Sequence, residues 1–344
     1  MASRRTAFGA FATLSAGLLG SRSGLFAPRP GLAQGSQPAH SVAAAAGFPD
    51  HAVRYIVPFT PAGLTDIMAR LVAQKLGEAW GRPVVVDNRA GGNAMIGADV
   101  AAKAPADGYT LLAITLTHAV NVGLFPGAPY HLLRDFRPVS VLGSLPLVVV
   151  VPEASPIRSL AELIAQAKTQ PMNGGSSGNG SPPHLGLELV RRVAGAGANL
   201  VHVPYRGGAP GVTDLVAGNL QFMVSNLPEC IGQIKGGRLR ALAITGAARS
   251  HQVPEVPTVR ELGFPGLEIT NWTAMLTNAG VATPVFERIE RSTLAAMRDP
   301  ELRRRAVEGG FDVLGWDADQ SQSFLQAEVV RWSRLVQEAA IKAD

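Results

Sequence analysis

The chain has 344 residues, 47% of them apolar and 17% charged, with a formal charge of +5. That is enough apolar material for two modest domains or one large one, and the composition is that of a soluble α/β protein. Charge gives no support to nucleic-acid binding: Arg4, Arg5, Arg22 and Arg29 fall in the first 34 residues, where no acid occurs, and without those four the excess is +1.

No Lys/Arg cluster with interleaved aromatics follows downstream. The Arg303–Arg305 run reads as a solvated helix face. In chain order, "SRRTAFGAFATLSAGLLG" (3–20) has a basic start, an apolar run and then small residues. This is the pattern of a cleaved export signal over residues 1–34, with a twin-arginine flavour from Arg4-Arg5. Ala7 stands where the twin-arginine pattern prefers Phe, and Phe8 comes one place late. An anchor is disfavoured because the apolar run is short and broken by Gly and Ser. Residues 35–47 read as a flexible leader. Cys230 is the only cysteine, so no internal disulfide and no Cys-based metal site are expected. The seven histidines show no zinc spacing, and neither metal nor cofactor is expected.

From Phe48 onward strands and helices alternate. Strand 53–57, helix 66–80, strand 83–88, helix 93–104 and strand 105–115 imply a parallel sheet with right-handed crossovers. Residues 136–155 read as two strand-like runs around Pro146. The alternation then restarts: helices at 159–170, 182–194, 211–217 and 228–237, and strands at 199–205, 220–226 and 239–245. Residues 267–280 are extended. The tail is helical at 284–297, 299–308 and 318–341, with a short strand at 311–316. Two restarts of one architecture predict two lobes, each a mainly parallel sheet flanked by helices, joined by two crossovers at 138–151 and 267–277. The expected limits are 48–147 with 271–344 for lobe 1, and 148–270 for lobe 2. Bending both crossovers together is hinge geometry.

An internal echo supports the pairing. "VPFTPAGLTDI" (57–67) and "VPYRGGAPGVTDL" (203–215) share Val-Pro-aromatic, a Gly/Pro loop, and Thr-Asp-aliphatic. Placed at the C-terminal ends of parallel strands, each would offer a loop and a helix N-terminus to a shared crevice, where open α/β sheets bind ligands. In the first loop Thr65 is a candidate cap and Asp66 a dipole partner that could also accept a ligand hydrogen bond. Thr115, Thr117 and His118 end a strand, as do Ser225 and Asn226, and all could face the crevice. Trp272 is either cleft wall or core. The Gly-rich loop 174–184 lacks the Lys of a nucleotide P-loop. Its Pro182 suits a first helical turn, whose free N–H groups attract carboxylates. Gly174-x-Ser176-x-Gly178 formally matches a nucleophile elbow, which makes a serine hydrolase using Ser176 an alternative. The weak preceding strand, with His184 too close and His251 in a turn region, argues against it.

Together these segments resemble the Bug-type receptors of tripartite tricarboxylate transporters. The family opening V-P-F-P-P-G-G-G-T-D stands here as Val57 to Asp66, with Ala69-Arg70 behind it. "VVVDNRAGGNAMIGAD", "PADGYTLL", "SGNGSPPHL", "VHVPYRGGAP", "DLVAGNLQFM", "GRLRALAIT" and "VPEVPTVRELGFPGLE" follow in family order. The resemblance implies a two-lobed periplasmic binding protein of the Venus-flytrap kind, not an enzyme. It would be a monomer in the periplasm that delivers a small organic carboxylate to membrane permease subunits. A sensory partner of a membrane kinase would have the same fold and site. The implied cradle uses backbone N–H groups, hydroxyls and water rather than Arg or Lys. Its expected residues are Phe59, Pro61, Gly63, Leu64, Thr65, Asp66, Thr115, Thr117 and His118 of lobe 1. Lobe 2 would supply Ser176, Gly178, Asn179, Gly180, Ser181, Tyr205, Ser225 and Asn226. Thr60, Ala62 and Leu64 replace Pro, Gly and Gly of the family loop, and Ser225 stands where many relatives have Asp.

Overall fold

The computed structural model of the chain describes residues 47–195, 198–339 and 341; the expected export signal and residues 35–46 of the expected leader lie outside these. Strand β1 (Val53–Val57) leads into α1 (Leu64–Trp80), which buries Met68, Leu71, Val72 and Leu76 along one face and stops at Gly81 in the left-handed conformation. Then come β2 (Val84–Asn88), α2 (Met95–Ala102), β3 (Thr110–Thr115), α3 (Leu116–Leu124) and α4 (Leu132–Asp135). A long strand, β4 (Phe136–Pro152), carries the chain onward. Next are α5 (Leu160–Thr169), β5 (Met172–Ser176), α6 (Pro182–Ala194), β6 (Leu200–Pro204), α7 (Gly208–Val216), β7 (Phe222–Asn226), α8 (Leu227–Lys235) and β8 (Leu239–Ile244). Strand β9 (Thr270–Asn278), α9 (Thr283–Arg298), α10 (Pro300–Glu308), β10 (Asp312–Val313) and α11 (Ala318–Glu338) complete the described chain.

In the first lobe β2, β1 and β3 are parallel, and β9 runs antiparallel to both β3 and β4. In the second lobe β6, β5 and β7 are parallel, and β4 lies antiparallel between β7 and β8. Strand β4 therefore belongs to both sheets. It pairs with β9 as far as Pro146 and with β7 from Leu147.

Three local differences from the sequence reading have physical causes. Residues 136–152 form one strand rather than two runs, because Pro146 sits where β4 changes neighbours and Pro138 sits beside a register shift; both are places where a missing N–H costs little. Strand β5 was read as loop because of its glycines. A Cβ on Gly174 would lie 2.5 Å from Leu187 Cδ1, and one on Gly175 would lie 2.6 Å from Leu220 Cδ1, so close packing requires glycine inside this strand. Helix α3 was read as a strand end. Its start is fixed by His118 Nδ1, which accepts the Thr115 N–H at 3.1 Å.

Candidate binding site

The loops that leave β1 and β6 reach the same place. A cleft of about 760 Å³ is lined on one side by Phe59–Thr65 with Thr115 and Thr117, and on the other by Ser177, Ser181, Arg206–Pro210, Asn226 and Glu229. Helices α1 and α7 open with Gly63 and Gly207 as N-caps, which offer no side-chain oxygen to the first-turn N–H groups. Those groups and the positive ends of the two helix dipoles favour an anion. Thr115 also lines the cleft, but its hydroxyl oxygen is buried at the cap of α3. At the floor, Asn271 Nδ2 donates to Asn226 Oδ1 at 3.1 Å and joins β9 to β7.

Of the residues expected from sequence, Phe59, Pro61, Gly63, Leu64, Thr65, Thr115, Thr117, Ser181 and Asn226 line the cleft. The others stand behind or beside it. Asp66 is only 2% exposed. Its Oδ2 accepts the Ala62 N–H at 2.9 Å and Arg70 Nε at 2.8 Å, and its Oδ1 accepts Asn88 Nδ2 at 2.8 Å. Burial alone would raise its pKa, but the bonds from Arg70, Asn88 and Ala62 outweigh that and hold it below the usual range. Asp66 is thus a clamp inside the loop, not a group offered to a ligand. His118 is fully buried, with its pKa pushed down to about 3 by that burial, and its ring fixes the start of α3. Ser176 is buried at the end of β5, with its hydroxyl 2.6 Å from His202 Nε2. The Ser176 partner is thus His202, not either of the histidines that counted against the hydrolase alternative, and Ser176 is not among the residues that line the cleft. Ser225 is buried and donates to Glu229 Oε2 at 3.3 Å. Tyr205 gives its hydroxyl to Asp214 at 2.7 Å.

Gly178, Asn179 and Gly180 form a turn beside the lining residues rather than among them. The turn is held by Ser181 Oγ donating to the Gly178 carbonyl at 2.6 Å, and by the Gly180 N–H donating to His184 Nδ1 at 3.0 Å. His184 in turn stacks on His202, with centroids 3.8 Å apart. Trp272 is core: it is 2% exposed and donates to Glu328 at 2.7 Å.

Three charged lining residues were missed: Arg206, Glu229 and Glu308, the last paired with Arg304. Arg206 is exposed on the tip of the β6–α7 loop, so the cleft does hold a fixed positive charge, against expectation. Its signal was in the echo itself, since it follows Tyr205 where Thr60 follows Phe59. Glu229 lies in the first turn of α8, four residues after Ser225 at the end of β7. Burial raises its pKa, although Asn226 and Ser225 donate to it. Among the described residues no three His, Cys, Asp or Glu side chains are grouped to hold a metal, and no helix is long and apolar enough to cross a membrane.

Two α/β lobes sharing a strand, with a cleft at the facing strand ends, define the class as the two-lobed periplasmic binding proteins. A model of the tripartite tricarboxylate transporter family receptor matches residues 68–341, and the chain belongs to that family. It is 38% identical to the protein BugT of Bordetella pertussis over 300 residues, which cover 86% of this chain and 91% of BugT. The structure of Rpa4515 from R. palustris with adipate is similar with a TM-score of 0.77 at 33% identity, covering 86% of this chain and 99% of that one. That of MatC from Rhodopseudomonas palustris with bound malate gives 0.75 at 27% identity, covering 84% and 100%. The chain is a solute-binding receptor and not an enzyme.

Proposed function

We propose that this receptor acts in the periplasm as a monomer, takes a small organic carboxylate into the cleft, and hands it to the membrane subunits of a tripartite tricarboxylate transporter. The observation that carries the reading is the pair of helix N-termini, α1 and α7, that open into one cleft without side-chain caps. Both point partial positive charge at the same space. The bound adipate and malate of two structural relatives agree with this. In this reading the lobes meet at 147/148 and 270/271, each one residue past the point where β4 changes partners and β9 begins. The ligand would favour closure only through its tighter binding to the closed form.

Titration calorimetry of the processed protein against mono-, di- and tricarboxylates, amino acids and aromatic acids tests this. At least one acid is expected to bind with 1:1 stoichiometry and without turnover. Failure of every acid to bind, or hydrolysis of an ester probe at Ser176, would sink it. Co-purification of membrane permease subunits with the liganded receptor separates transport from sensing.

A further inference from the structure

The receptor reading leaves the substitution pattern of the ligand open, and the charges in the cleft bear on it. Its charged lining residues are Arg206, Glu229 and Glu308. Glu308 is already paired, since Arg304 donates to it at 2.6 Å. The two others are both on the second lobe: Arg206 precedes the Gly207–Gly208 turn, and the Glu229 carboxyl lies against Gly208.

Glu229 occupies a place shaped for a carboxyl group. Ser225 donates to its Oε2 at 3.3 Å, and Asn226 also donates to it. A Cβ on Gly208 would fall 1.9 Å from that same oxygen, so only glycine at 208 lets the carboxyl lie where it does. Its donors are neutral, and among the described residues no Lys, Arg or His forms an ion pair with it. A half-buried carboxyl without a cation invites a donor from outside. A plain dicarboxylate cannot supply one, because it would bring a second negative charge to Glu229. An acid that also carries an ammonium or hydroxyl group can place its carboxylate near Arg206 and the uncapped α7 start, and its N–H or O–H on Glu229.

We propose that Glu229 is a specificity-determining residue that accepts a hydrogen bond from an amino or hydroxyl substituent of the ligand. The cleft then selects amino- or hydroxy-substituted acids over the unsubstituted diacid of the same length. This rests on the carboxylate-receptor reading above and adds to it. Arg206 anchors the carboxylate end.

The test is calorimetry with succinate, glutarate and adipate, each beside its 2-amino and 2-hydroxy derivative, on wild type, Glu229→Ala, Glu229→Gln and Gly208→Ala. Wild type is expected to bind one substituted acid at least tenfold tighter than its parent. Glu229→Ala should reduce that preference below threefold, with the parent diacid bound within threefold of its wild-type value or tighter. Glu229→Gln should lose preference for the ammonium and keep part of it for the hydroxyl, which tells the two donors apart. Gly208→Ala displaces the carboxyl without removing it and should also erode the preference, so the conclusion does not hang on one variant's folding. A parent diacid bound as tightly as its derivatives, or a preference that survives Glu229→Ala, overturns the proposal and leaves the carboxylate receptor standing. If no acid binds wild type, both readings fall.

Discussion

In the first lobe the loop between β1 and α1 is held by a carboxylate, whereas in the second the corresponding loop between β6 and α7 is held by a tyrosine hydroxyl. The Thr-Asp pair recurs in both, but two extra residues change what the aspartate can reach. Asp66 falls in the first turn of α1, next to the loop, and bonds the Ala62 N–H directly at 2.9 Å. Asp214 falls in the second turn of α7, and is met at 2.7 Å only because Tyr205 extends back to it. Main-chain bonds secure the second loop as well: Tyr205 N–H to the Ser176 carbonyl at 3.0 Å, and Gly207 N–H to that of Ser177 at 3.3 Å. A repeated motif thus gives repeated placement but not repeated chemistry. The first lobe spends its charge internally, and its one charged lining residue, Glu308, is paired with Arg304; the second leaves Arg206 and Glu229 facing the cleft.

The largest effect is expected where the internal charge is removed. Asp66→Ala leaves the Ala62 N–H without its acceptor and the Asn88 amide with only the Phe59 carbonyl. It should cost about 2–4 kcal/mol of stability, read by urea unfolding. Ligand affinity should fall at least tenfold although Asp66 does not touch the cleft. Because the folded state lowers the Asp66 pKa, its contribution is fully present above the usual aspartate range and is lost as pH falls through the depressed value. The variant should therefore lose less stability than wild type on acidification from neutral pH. A variant with wild-type stability and affinity would show that the loop does not depend on this clamp.

Much of this was legible beforehand. The strands and helices that alternate by simple periodicity, from Val53 to Asn88 and from Pro182 to Ile244, lie within a few residues of where periodicity puts them. The echo pointed to the two loops that line the cleft. What escaped were features decided by tertiary contact. Strand β5 is hidden because Leu187, Phe222 and Leu220 crowd Gly174 and Gly175, so the local sequence looks like a loop. Asp66, His118, Ser176 and Ser225 are polar residues at strand or helix ends, which is where ligand groups sit in sequence. Each is turned inward to satisfy a neighbour instead, and no spacing rule distinguishes an inward hydrogen bond from an outward one. Arg206 and Glu229 were overlooked because the family pattern predicts a cleft without fixed charge.

A smaller effect, confined to binding, is expected from the exposed side of the comparison. Among the described residues Arg206 forms no ion pair, so Arg206→Gln should leave the urea midpoint unchanged. It should weaken carboxylate binding by about tenfold, as for one charge-assisted hydrogen bond. Wild-type affinity should fall with added salt more steeply than that of the variant, because screening acts on a solvent-facing charge. Equal salt dependence in the two proteins would place Arg206 on the rim, outside the ligand's reach.

The finest distinction concerns backbone. Ala62 has φ of +63°, in the left-handed region, held there by its bond to Asp66; Gly207 has φ of 107° and ψ of 170°, with nothing within 4 Å of where a Cβ would stand. Ala62→Gly relieves about 1 kcal/mol of left-handed strain, but a new glycine gives back about 0.4–1 kcal/mol through the freer unfolded chain. The net gain should be under about 0.5 kcal/mol. Gly207→Ala meets no steric wall, so its cost is backbone conformation alone, about 1–3 kcal/mol for a region that only glycine populates readily. If Gly207→Ala instead unfolds at the wild-type midpoint, the second loop relaxes freely into another conformation. Its uncapped helix start would then not be preformed, and the symmetry between the two anion-facing helix ends would fail on that side.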